Sequence, residues 1–85
     1  MPRYISLHVL GCLPKPAFAA LCNKLFSDSE STRRIVAGQV AGKMLVEFEA
    51  ADGDDAEMWL RKRRLQPSWI MRVDYESTNG RLHEL

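Results

Sequence analysis

Four stretches of alternating apolar and polar residues, interrupted twice by helix-period stretches, constrain this chain more than any other feature. Ile5, Leu7 and Val9 alternate with Tyr4, Ser6 and His8, the period-two mark of a strand buried on one side. Gly11 and Pro14 end that strand. From Pro16 the spacing changes: Phe18, Leu21, Cys22 and Leu25 fall at i, i+3, i+4 and i+7, one apolar stripe on a helix. Arg33 to Val40 predicts a second strand. Lys43 to Ala50 predicts a third, with Met44, Val46 and Phe48 on one side. Ala41-Gly42 joins these two so tightly that they must form an antiparallel hairpin.

A second helix is expected from about Asp54. Asp54 and Glu57 have capping-box spacing, and Ala56, Trp59, Leu60 and Arg63 mark the inner stripe. The acidic group Asp52, Asp54, Asp55, Glu57 lies at its start and the basic run Arg61–Arg64 at its end. Both oppose the helix dipole, by roughly 0.3–1 kcal/mol each, so neither needs a partner to explain it. After Pro67, Ser68 to Glu76 predicts a fourth strand. Asn79-Gly80 is a turn signal, which leaves Arg81 to Leu85 as a short extra strand or a tail.

The order β-α-β-β-α-β implies an α+β fold: a ferredoxin-like sandwich, with a four-stranded antiparallel sheet and two helices on one face. Right-handed crossovers put the first and third strands in the centre. Residues 1–76 form that domain and 77–85 the turn and tail. At 85 residues only one packed core is available, since folding removes roughly 60–65 % of the unfolded surface from water. Hydrophobic residues are 46 % and charged residues 27 %, which excludes a disordered chain. No apolar run approaches the roughly 18 residues of a membrane span, and the first residues lack a secretory pattern. Two cysteines make no disulfide scaffold: Cys22 falls on the helix stripe and Cys12 in a loop, so a reducing, cytoplasmic setting is expected.

The side of the sheet away from the helices has no cover in a monomer. With Ile5, Leu7, Val9, Met44, Val46 and Phe48 assigned to the helices, the open face is expected to carry Tyr4, His8, Leu45, Glu47, Ile70 and Arg72. Its apolar half calls for a contact surface, and a second copy related by a two-fold axis is the simplest cover. Homodimerisation through this face is therefore expected. A net charge of +1 gives no general pull toward nucleic acid or anionic membranes.

Three stretches, MPRYISLHVL, MLVEFEAAD and WLRKRRLQPSWIMRVDYE, together resemble a family of small bacterial ferredoxin-like proteins, mostly of unknown function, some of whose members are described as nickel-binding. The resemblance covers about residues 1–76. It rests on the Met-Pro strand with its following His, the Glu-Phe-Glu-Ala segment and the closing Ile-x-x-Val. It implies His8 as a ligand for a divalent metal, nickel or zinc. The residues themselves favour a hydrogen-bonded, inert histidine at a dimer seam, because a ligating histidine needs named partners. His8 with Cys12 supplies only two ligands.

The other candidates have plain readings too. Glu47 and Glu49 face the same way and suit acid–base work, but a solvated edge explains them better. Arg72 with Asp74 reads as a same-face ion pair of little energetic weight. Trp59 and Trp69 read as core anchors. No catalytic residue stands out, and no phosphate loop or nucleophile triad is present. The leading expectation is a homodimeric binding or accessory protein with weak metal binding through His8. The alternative is a dimeric α+β barrel enzyme acting on a small hydrophobic compound, with His8 and Tyr4 in its cavity. The Ala41–Phe48 stretch is similar in shape to the third-strand signature of the RNA-recognition motif. However, Lys43 and Leu45 stand where stacking aromatics belong, and the two glutamates repel phosphate, so RNA binding is disfavoured.

Overall fold

The structure, a computed structural model, describes all 85 residues. In chain order the elements are β1 (Arg3–Val9), α1 (Lys15–Asp28), β2 (Thr32–Gly38), β3 (Lys43–Glu49), α2 (Gly53–Lys62), β4 (Trp69–Val73), β5 (Tyr75–Thr78) and β6 (Arg81–Glu84). The first four strands in space run β2-β3-β1-β4, every neighbouring pair antiparallel; β5 and β6 form a separate two-stranded ribbon. The chain is thus α+β, two helices with a four-stranded antiparallel sheet plus a small hairpin, and β1 and β3 occupy the centre as the crossover argument requires.

The core lies between one face of the sheet and the helices. Tyr4, Met44, Val46 and Phe48 of the sheet meet Ala56 and Leu60 of α2, and Phe18 and Leu21 of α1 pack against the same cluster. An aromatic stack runs through it. The Tyr4 and Phe48 ring centres are 6.2 Å apart, Phe48 and Trp59 lie 4.2 Å apart and 6° from parallel, and the Arg63 guanidinium covers Trp59 at 4.1 Å. The inner stripe expected for α2 is therefore the one used. At the far end of β2, buried Thr32 donates its hydroxyl proton to the Leu25 carbonyl at 3.0 Å and ties that strand to the end of α1.

The β2–β3 connection touches the loop after β1. Leu10 N–H donates to the Gly42 carbonyl at 2.7 Å, and a Cβ on Gly42, whose φ is +65°, would sit 3.3 Å from the Gly11 carbonyl oxygen. Glycine meets both the dihedral and the close approach.

Two local expectations are corrected. The cap of α2 is Asp52, not Asp54. The Asp52 carboxylate accepts the Asp55 N–H at 2.8 Å, and the Asp55 carboxylate accepts the Ala51 N–H at 2.9 Å. The three-residue cap spacing begins two residues earlier than expected, because Gly53 already adopts helical geometry, and the return bond reaches Ala51, one residue before the cap. Asp52→Ala is expected to lower stability by about 1 kcal/mol, read as a lower urea midpoint at unchanged slope.

The second correction concerns the end of the chain. The fourth strand is not continuous to Glu76. It leaves the sheet at Asp74, and Tyr75–Thr78 turns back through Asn79 and Gly80, both at positive φ, to pair with Arg81–Glu84. This two-residue turn matches the twist of a hairpin, so the four-stranded sheet ends at Val73 and the tail is a ribbon.

Candidate functional site

Strand pairing decides which residues share a face, because directly opposed residues point the same way. Tyr4 lies opposite Phe48 and Arg72, Ser6 opposite Val46 and Ile70, and His8 opposite Met44. Since Met44, Val46 and Phe48 are buried under the helices, Tyr4, Ser6 and His8 share that side and are themselves buried. The expected placing of Tyr4, His8, Ile70 and Arg72 on the open face is corrected: all four belong to the helix-covered side, Ile70 half-buried and Arg72 exposed at its margin beside Asp74, 3.4 Å away. Leu45 and Glu47 are on the open face as expected. β1 alternates as expected, with Tyr4, Ser6 and His8 toward the helices and Ile5 and Leu7 toward the open side.

The open face that results is more apolar than expected. Across all four strands runs one row: Val36, Leu45, Leu7 and Trp69. Beside it Ile5 and Met71 occupy the next row on β1 and β4, and Val73 the one after. Trp69 is 43 % exposed and Met71 49 %, so Trp69 is a surface aromatic and not the core anchor expected. A depression of about 210 Å³ lies in this face, between Leu7, Val36, Leu45 and Lys43.

The charged corner of the face is a ladder of ion pairs. Glu47 receives Arg3 at 3.1 Å and Arg34 at 3.5 Å, and Glu49 receives Arg33 at 2.6 Å. A register shift between Thr32 and Arg34 places Arg33 beside Glu49. That hydrogen bond and the nearby charge hold the Glu49 carboxyl below its ordinary range and push the Arg33 guanidinium up. The two glutamates are therefore held by arginines on a central strand and do not form a solvated edge. Neither is left as a free acid–base group.

His8 is 3 % exposed. Its Nε2 lies 2.7 Å from the Ser6 hydroxyl and its Nδ1 3.2 Å from the Gln66 carbonyl oxygen. A carbonyl only accepts, so Nδ1 carries the proton and Ser6 donates to Nε2. Burial pushes the His8 pKa down, and the bond to Gln66 opposes it. Both ring nitrogens are engaged, and nowhere do three or more His, Cys, Asp or Glu side chains gather as a metal-holding group. His8 and Tyr4 line none of the three surface depressions, of about 500, 210 and 220 Å³. Cys12 is exposed, Cys22 half-buried with its thiol pKa pushed up by burial, and both are free.

A depressed histidine pKa means that the folded protein holds the proton less readily than the unfolded chain. Stability is then full above about pH 6.5 and falls below it, by at most about 1.4 kcal/mol per pH unit, until the folded-state pKa is reached. Urea midpoints followed from about pH 8 down to about pH 5 are expected to show this decline in the wild type and to lose it in His8→Gln.

The alternation of Ile5, Leu7, Val9 against Tyr4, Ser6, His8 could not reveal the parity by itself. The one local clue is the Ser-x-His spacing: two polar residues two apart on a strand share a side and satisfy one another. No helix is long and apolar enough to cross a membrane. Compared with models of known protein families, with curated proteins and with solved structures, the chain has no significant match in any of the three.

Proposed function

We propose that this ferredoxin-like chain is a homodimeric binding or accessory protein, without catalysis of its own, and that the open sheet face is the seam between its two copies. One observation carries the reading: the two sides of β1 and β4 are inside-out for a monomer. Serine and histidine occupy the core side, while Ile5, Leu7, Trp69, Met71 and Val73 point to the uncovered side. Full burial of such a side chain is worth roughly 1.5–3 kcal/mol; Trp69 and Met71 forfeit part of it, and the half-buried Ile5, Leu7 and Val73 a smaller part. A second copy returns that stabilisation, and a two-fold axis sets the same apolar row against itself.

The arginine–glutamate ladder supports the same role. With Glu76 meeting Arg3 at 3.5 Å, its three arginines face three glutamates within the chain, so it borders a seam without repelling a second copy. Two free thiols fit a reducing compartment, and the cytoplasm is the proposed setting. Sedimentation equilibrium of the full chain tests the proposal. The expected mass is twice the 9.7 kDa chain at micromolar concentration, and a single-chain mass at the highest soluble concentration would overturn it.

A further inference from the structure

The β5–β6 ribbon packs little of its surface against its own chain. All eight of its strand residues are exposed, and it is hydrogen-bonded as a sheet only to itself. An isolated two-stranded hairpin is marginal in water, and stability needs a third strand or a surface to pack on. The anchors here are slight: Leu85 N–H donates to the Asp74 carbonyl at 3.0 Å, and Glu76 meets Arg3 at 3.5 Å. Cross-strand pairing sets Glu76 and His83 on one side of the ribbon with Thr78 and Arg81. Tyr75 and Leu82 fall on the other, with Ser77 and Glu84. The first side is tied back through Glu76. On the second, Tyr75 is 59 % exposed and Leu82 68 %, both bare.

The root of the ribbon adjoins the open sheet face, since Arg3, which Glu76 contacts, stands on that face opposite Glu49. That face by itself makes a small seam. Four strands about 4.8 Å apart and five to seven residues long span about 19 Å by about 20 Å, roughly 400 Å² in flat projection. A standard stable interface covers about 800 Å² on each partner.

We infer that the β5–β6 ribbon is a dimerisation arm, its Tyr75–Leu82 side lying on the second copy of this chain and supplying contact area that the sheet face lacks. The inference rests on the open face being the dimer seam. Two-fold symmetry makes each copy both donor and receiver of an arm, so the added contact counts twice.

Sedimentation of three proteins tests it: the full chain, the chain ended after Asp74, and the double variant Tyr75→Ser, Leu82→Ser. The double variant changes only side chains that are exposed in the single chain, so its fold persists even where the shortened chain fails to fold, and it then decides the question alone. The expected result is a dimer for the full chain and a dimer dissociation constant raised at least about tenfold in the variants, with urea midpoints of the monomer preserved. Dimers of unchanged affinity in the double variant overturn the arm and leave the sheet-face seam standing. A full chain that stays monomeric overturns both.

Discussion

Phe48→Ala is expected to cost about 3–5 kcal/mol, a large part of the roughly 5–15 kcal/mol that holds a domain folded. Phe48 is fully buried at the middle of the stack, between Tyr4 at 6.2 Å and Trp59 at 4.2 Å. Deleting the ring removes its transfer free energy and leaves a void that neighbours cannot close. Tyr4 and Thr32 are held by strand pairing on either side of it, and Trp59 is fixed by its Nε1–H bond to the Ser29 hydroxyl and by Arg63 above. The Arg63 Nε is buried without a partner, so a shift of Trp59 also disturbs a guanidinium that has little slack. Phe48→Leu keeps most of the volume and is expected to cost clearly less. Urea unfolding at constant slope measures both, and near-equal losses would place the stabilising core elsewhere.

Leu45→Glu is expected to raise the dimer dissociation constant at least about a hundredfold while leaving the single chain folded. Leu45 stands between Val36 and Leu7, at the centre of the apolar row. A carboxylate there is solvated in the monomer, where the face is open. In the proposed dimer it would be buried among Leu7, Val36 and Trp69, with its charge desolvated, and a two-fold axis would bring the second copy's carboxylate close to it. Glu47, on the adjacent row of the same strand, already has two arginines, and Lys43, on the row at the other side, is an exposed lysine at the rim of the face, where its charge stays in water. Light scattering across a concentration series, with circular dichroism to confirm folding, gives the readout. An unchanged dimer would place the seam on another surface.

Much of the architecture was legible because it depends on short-range pattern. The helix stripe Phe18–Leu25 and the acid-to-base gradient along α2 are local signals that appear where expected, and the β2–β3 hairpin forms, though its turn is the four residues Gln39 to Gly42 rather than Ala41-Gly42 alone, because β2 ends at Gly38. The cap at Asp52 and the break at Asp74 were missed because carboxylates crowd the start of α2 and because Val73, Asp74 and Tyr75 extend the alternation past the point where the strand leaves its neighbour. For the candidate site, Leu45 and Glu47 were found from β3, whose apolar side is unambiguous, whereas Tyr4, His8, Ile70 and Arg72 were placed on the wrong side.

The chain's own order of residues determined the elements, their sequence along the chain and the two alternating sets on each strand, because periodicity is written in neighbouring positions. Only the tertiary structure decided which set faces the helices. That choice is made by the register of β1 against β3, which sets His8 opposite Met44 and Ser6 opposite Val46. A shift of one residue exchanges the two sides of a strand, and β1 carries groups that can be buried on both: aliphatics on one side, and on the other a serine and a histidine that satisfy each other's hydrogen bonds.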